Sequence, residues 1–246
     1  FGGKLRVPIT IRLSIGRGWG QGPTHSQNLH AWFAHIPGLK VVMPATPYDA
    51  KGLLISAVED NNPVIFMEHR WLHNTFGEVP KRKYKVPLGK ANIIKSGKDL
   101  TIVSHSYMSI EALKAAMIMK EHGIDSEVID LRSLRPLDTK TIIKSVKKTK
   151  RLLVVDNGWT RFGVSAGIVS SVTEKIFDEL KCSPSRIGIE DVPLPSTRAL
   201  AVHAYPTPSK IVKAAAKLLG LQIKLSKEQK KSDPLDQPDQ NFTGPF

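Results

Sequence analysis

The sequence predicts an α/β fold with a mostly parallel sheet. Short apolar runs alternate with longer helical patterns through most of the chain. A strand–helix–strand order needs crossover connections, which lay parallel strands side by side with right-handed links. A polar stretch at residues 69–98 then divides the pattern into two blocks.

Residues 5–13, LRVPITIRL, alternate around Val7, Ile9, Ile11 and Leu13 and read as a strand with Pro8 near its start. Gly16, Gly18, Gly20 and Gly22 follow as a loop, where glycine permits positive φ or close approach to a ligand. NLHAWFAH at 28–35 reads as a short helix stopped by Pro37-Gly38, and LKVVMPA at 39–45 as a buried strand. The helix pattern at 46–60 is the clearest in the chain, with Thr46 as N-cap, Pro47 at the first helical position and Asp49 at the third. NNPVIFMEH at 61–69 returns as a strand.

The stretch 69–98 is rich in Pro, Gly and Lys and too long for an ordinary loop, so a domain boundary is expected near residue 88. Strands then read at 99–106, 126–133, 151–157 and 185–191, with helices at 109–123, 138–149, 164–180 and 207–220. In a doubly wound sheet, sites lie beyond the carboxyl ends of strands. Those ends are Ser104–Tyr107, Asp130–Arg135, Asp156–Phe162 and Asp191–Arg198. The expected units are residues 1–88, residues 89–220, and a polar, disordered tail at 221–246 that cannot bury enough apolar area to fold.

The 246 residues carry a formal net charge of +14, but the basic residues fall singly or in short runs. That is a solvated surface rather than a nucleic-acid stripe. No apolar run reaches the roughly eighteen residues of a membrane span. The single cysteine, Cys182, excludes an internal disulfide, fits a reducing compartment and has no activating base beside it. The opening FGGKLRVPIT has neither an initiator Met nor a signal-peptide pattern, and reads as a fragment whose earlier residues are absent.

His25, at the exit of the glycine loop, is the first candidate for chemistry, since an imidazole changes charge near neutral pH. No nucleophile elbow, P-loop or dinucleotide fingerprint accompanies it. His30 with His35, and His69 with His73, read as surface or packing histidines rather than a zinc half-site, since no Glu between them or third ligand is in view. At the end of the 46–60 helix, free carbonyls with Asp60 and Asn62 form either an oxygen nest for a hard cation or an Asn-rich helix stop. Asp130, Arg132, Arg135 and Asp138 either brace a turn or contact a partner or phosphate. GWTRFG at 158–163 is a second Gly-bounded loop able to close over a neighbouring site.

HSQNLHAWFAHIPGLKVVMPATPYDAKGLL, AVEDNNPVIFMEH, EVIDLRSLRPLD and the KTxRLLVVD strand leading to a Phe-Gly loop together resemble the β subunit of thiamine-diphosphate-dependent 2-oxo acid dehydrogenase E1 components. The resemblance runs from about residue 5 to residue 219. It implies a pyrimidine-binding transketolase-like domain, N-terminally truncated, followed by a transketolase C-terminal α/β domain with a mostly parallel sheet. By resemblance, His25 is the active-site histidine assisting acyl transfer to lipoyl. The carbonyls of Ile9, Ala57 and Val58, with Asp60 and Asn62, form a structural potassium site.

The resemblance also implies partners: an E1 α subunit in an α2β2 assembly that holds most of the diphosphate and magnesium, and an E2 dihydrolipoyl acyltransferase. The substrate would be pyruvate or a branched-chain 2-oxo acid, and a nearby alternative is an acetoin dehydrogenase or transketolase-type enzyme. The location would be cytoplasmic, or the mitochondrial matrix in a eukaryote. The family's aminopyrimidine-binding glutamate lies upstream of the H-S-Q motif and has no counterpart here, so the chain is expected not to turn over alone. A non-catalytic assembly module is the alternative of another class.

Overall fold

The computed structural model describes residues 4–16 and 20–230. The first sheet takes β1 (Thr10–Ile15), β2 (Lys40–Val42) and β3 (Val64–His69) in the order β1-β3-β2, all parallel. Two short helices, α1 (Gly22–His25) and α2 (His30–His35), stand between β1 and β2, and α3 (Pro47–Val58) crosses from β2 to β3. The Thr46 hydroxyl accepts the Asp49 N–H at 3.1 Å and Pro47 opens the helix, as the sequence predicts.

The second sheet has the order β4-β6-β5-β8-β9. Its strands are β4 (Asn92–Lys95), β5 (Leu100–Ser104), β6 (Ser126–Asp130), β8 (Leu152–Trp159) and β9 (Ser185–Ile189), parallel except at the β4 edge. The helices are α4 (Tyr107–Glu121), α5 (Thr139–Thr149), α6 (Val164–Ile176), α7 (Arg198–Ala204) and α8 (Pro208–Leu219). Alternation along the strands serves two buried faces. Leu100, Ile102, Leu153 and Val155 pack against α4 and α8, while Val103, Leu152 and Val154 face α5 and α6. No helix among the described residues is long and apolar enough to cross a membrane.

Three departures from the sequence reading position the site. The 126–133 strand stops at Asp130; Arg132 turns at φ 58°, and Ser133–Arg135 becomes β7, antiparallel to β2 at the edge of the first sheet. A strand from the second block thus completes the sheet of the first, and one core cluster holds Ile15, Val41 and Met67 together with Ile142, Val154 and Ile168. Next, the polar 69–98 connection carries packing and a strand of its own. Val86 is buried against α3, its N–H bonding the Gly52 carbonyl at 3.1 Å, Tyr84 stacks on Tyr48, and residues 92–95 form β4. Finally, Leu225 is buried in the α4–α8 cluster and a short helix, α9 (Lys227–Lys230), follows it. The rest of the expected tail, residues 231–246, lies outside the described residues.

Asp138 ties these pieces together. Its carboxylate accepts the Thr141 N–H that caps α5 and also the Ala91 N–H just before β4, both at 3.2 Å. Burial pushes this carboxyl up, but the Thr141 and Ala91 bonds outweigh it and hold it below its ordinary value. Replacement by alanine should cost about 1–2 kcal/mol, as for other N-cap losses. Because the folded carboxyl takes up its proton later than the unfolded one, the wild-type advantage should be full at neutral pH. It should shrink as pH falls below the usual carboxylate range of about 4. Urea unfolding of wild type and D138A at pH 7 and pH 3 measures this.

Candidate active site at the seam between the sheets

The glycine loop begins where β1 ends, at the carboxyl edge of the first sheet. Residues 17–19, including Gly18, lie outside the described residues. Gly16 has φ 84° and packs on the ring of His69, where a Cβ would come within 2.2 Å; only glycine fits there. His69 ends β3 and is buried; its Nδ1 accepts the Trp71 N–H at 3.2 Å and its ring stacks on Tyr107 at 4.9 Å. The pair His69–His73 therefore does not share a helix: His69 closes a strand, and His73 follows a 3₁₀ turn in the open.

Pro23 is the second residue of the four-residue turn α1, which presents His25 at its end, exposed to solvent. Gly22, also at positive φ, packs on Ser196 of the second unit, so the loop is backed by the segment after β9. Arg70 reaches across from the end of β3. Its Nη1 donates to the carbonyl of His25, to Gln21 Oε1 at 2.8 Å and to the Gly16 carbonyl at 3.4 Å. No carboxylate stands among these groups, so the collar offers an imidazole, an amide and a guanidinium.

Beyond His25 the chain turns inward. His30 opens α2 fully buried, and its Nε2 donates to Asp156 Oδ1 at 2.9 Å. Asp156, near the carboxyl end of β8, also accepts from His105 Nε2 at 3.3 Å, Gly158 N–H at 2.8 Å and Ser165 N–H at 3.0 Å. Burial works to raise this carboxyl, but His30 and His105 hold it well below its ordinary value. His105 goes the other way: burial lowers it past the opposing pull of Asp156.

The three side chains have the composition of a metal site and lie within 4.8 Å of one another, yet the atoms that face one another are already hydrogen-bonded, while His30 Nδ1 has no partner among the described residues. Asn157 Nδ2 donates to His105 Nδ1 at 3.2 Å and to the His105 carbonyl at 3.1 Å, which leaves the proton on Nε2. The carboxylate already takes four donors. This cluster is a buried hydrogen-bonded lock between α2 and the second sheet. Sequence reading treated His30 as a surface or packing residue and missed its partner, because the two are 126 positions apart.

The other candidates separate. Asp60 Oδ1 accepts the Asn62 N–H at 2.9 Å, its Oδ2 binds the Lys40 ammonium, and the Ile9 carbonyl accepts the Val64 N–H at 2.8 Å. Ala57 is buried, with its carbonyl accepting the Asp60 N–H at 3.2 Å, while Val58 points outward. An ammonium thus occupies the carboxylate that a monovalent cation would need. Asp130 Oδ1 accepts the Arg132 N–H at 3.2 Å across the turn, while the longer side chains reach elsewhere. Arg132 pairs with Asp49 of α3 at 2.7 Å, and Arg135 donates to the Ala34 carbonyl at 2.8 Å. The loop at 158–163 faces α2 across a groove of about 1210 Å³, with Trp32 and Phe162 on its rim.

Two buried carboxyls behave oppositely and can be separated by mutation. Burial raises Asp130 to about 7, against bonds from the Arg132 N–H and the Ser109 hydroxyl. A folded carboxyl raised above its unfolded value stabilises at low pH and loses that contribution as pH climbs from about 4 toward 7. The stability difference between wild type and Asp130→Asn should therefore move against wild type between pH 5 and pH 8. Asp156→Asn, by contrast, leaves buried donors facing an amide and should cost about 3–5 kcal/mol. Chemical denaturation of both variants at the two pH values checks this.

The transketolase pyrimidine-binding domain family matches residues 1–74, and the transketolase C-terminal domain family matches residues 89–211. The acetoin:2,6-dichlorophenolindophenol oxidoreductase β subunit of Bacillus subtilis is 44% identical over 220 residues, covering 89% of this chain and 64% of the relative. The corresponding subunit of Cupriavidus necator is 43% identical, covering 89% and 65%. The mitochondrial pyruvate dehydrogenase E1 component β subunit of Drosophila melanogaster is 43% identical, covering 90% of this chain and 62% of its own length. The chain spans just under two thirds of the length of these relatives. A solved split-gene transketolase, an inactive β4 tetramer, superposes with a TM-score of 0.74 at 25% identity, covering 89% of this chain and 69% of that one. Two family matches in tandem on this pair of sheets, with such identities across most of the chain, place it in the transketolase-type family, among the β-type subunits of 2-oxo acid dehydrogenase E1 components.

Proposed function

We propose that this chain is the β-type subunit of a pyruvate-dehydrogenase-type E1 component, acting on a 2-oxo acid and passing the acyl group to the lipoyl arm of an E2 acyltransferase. The observation that carries the reading is His25, an exposed imidazole held at the end of a stapled collar, in the H-S-Q context of this family. Thiamine diphosphate would supply the decarboxylation chemistry in the assembled enzyme. The collar does not fit it as a binding site: aminopyrimidine recognition needs a carboxylate, and the collar provides none. Cofactor and magnesium are then held away from the collar, chiefly by an α subunit in an α2β2 assembly.

His25 gives a proton to the lipoyl sulfur released when the other sulfur takes the acyl group, and regains it from solvent. The potassium site at Ile9, Ala57, Val58, Asp60 and Asn62 belongs to the same proposal, with binding there requiring displacement of Lys40. A second reading, acetoin dehydrogenase β subunit, is supported by the 44% identity to the Bacillus subtilis protein. A non-catalytic assembly role finds its support in the inactive β4 state of the split-gene relative.

The test assembles the chain with an α subunit, thiamine diphosphate and a lipoylated acceptor, offering pyruvate, branched-chain oxo acids and acetoin in turn. His25→Ala should depress lipoyl acylation about 10²- to 10⁴-fold, the range of general acid–base catalysis, while decarboxylation falls far less. Equal loss of both steps removes His25 from acyl transfer.

A further inference from the structure

We propose that Arg70 is the positioning residue for His25, its guanidinium stapling the two ends of the glycine collar and fixing where the imidazole is presented. The inference rests on the acyl-transfer reading of His25. Among the described residues, most polar contacts of the collar are local: Thr24 Oγ1 to the Gln21 carbonyl at 3.1 Å, the Ser26 N–H to the Gly22 carbonyl at 3.1 Å, and Gln27 Nε2 to the Pro23 carbonyl at 2.6 Å. These bonds shape the turn itself, and Gly20 and Gly22 pack it on Ser196. Hydrogen bonds from the collar back to the sheet edge include Gly16 N–H to the Gln27 carbonyl, long at 3.4 Å, and the Arg70 set, the one among these that spans the loop from Gly16 to His25.

Arg70 is unusual in what it bonds. Arg132, also half-buried, pairs with the Asp49 carboxylate, whereas Arg70 has no carboxylate partner among the described residues. Its Nη1 instead meets three oxygens of the collar, from Gly16 before the loop to His25 after it. Partial burial works against the charged guanidinium, and the neighbouring residues supply only neutral oxygens. The root of the staple is rigid. Arg70 follows His69, whose ring is stacked on Tyr107 and covered by Gly16, and Trp71 packs edge-on against Tyr107 at 5.5 Å. The aromatic stack thus fixes the base of Arg70, and Arg70 fixes the carbonyl of His25. A shift of about 1 Å at a reacting group can cost 10²-fold in rate, so a residue that never meets substrate can still govern the step.

Two measurements test this. In the full chain alone, amide hydrogen exchange across residues 20–28 should quicken several-fold in Arg70→Ala, while β3 amides keep their protection; unchanged exchange in the collar overturns the staple. In the assembled enzyme, Arg70→Ala should lower lipoyl acylation about 10- to 100-fold. In a His25→Ala background it should lower it no further, and Arg70→Lys, which keeps a donor, should recover part of the loss. An Arg70→Ala loss that adds in full to that of His25→Ala overturns the inference even if His25 is confirmed. If His25→Ala alone spares acylation, the reading of His25 fails, while the exchange experiment still decides the staple. Should Arg70→Ala not fold, Arg70→Lys carries both measurements, with smaller effects of the same sign.

Discussion

One buried carboxylate holds the site region together. Asp156 is fully enclosed, and a lone charge there would be expelled or neutralised. It stays ionised because two imidazole N–H groups and two backbone N–H groups converge on it. One of the imidazoles, His30, comes from the first unit and the other three donors come from the second. The His30–Asp156 hydrogen bond therefore fixes α2 against the end of β8, and α2 is the element that begins five residues after His25. The lock thereby anchors the chain just downstream of the collar.

Asp130 shows that burial alone does not set the outcome. It is as enclosed as Asp156, but only the Ser109 hydroxyl and the Arg132 N–H donate to it, both to Oδ1, and Oδ2 has no partner among the described residues. The nearby Asp49 carboxylate adds repulsion, partly answered by Arg132. Donor count separates the two acids, one ionised and one poised near neutrality. Both lie at carboxyl ends of strands in the second sheet, the edge where a doubly wound fold gathers its polar groups.

How much of this was legible in the sequence follows from the range of each interaction. Thr46-Pro47 and Asp138 announce their helices because a cap acts over three residues. The strands of the second sheet show as apolar runs because both faces are covered. Ser133–Arg135 was invisible as a separate strand: three residues with one buried leucine carry no period, and their partner β2 lies some ninety positions upstream. Val86 and Leu225 were hidden among lysines, since a single apolar anchor does not alter the composition of a polar stretch. His25 stood out through its glycines, whereas Arg70 did not, because nothing local in EHRWL says that the guanidinium will bend back forty-five residues.

The collar also explains why such a chain should work as part of something larger. Its glycines allow the backbone to lie against His69 and Ser196, and Arg70 then closes the loop from beneath. All of these contacts are on the inner side, and His25 is left on the outer side in water. A proton donor gains most of its advantage over water from a dry, preorganised setting, which strengthens each charge interaction and bars hydrolysis. The chain orients the imidazole but does not cover it. Under the proposed reading, the exclusion of water and the electron sink both come from the partner surface that meets this collar, and the precision with which the collar is held decides how well the two halves match.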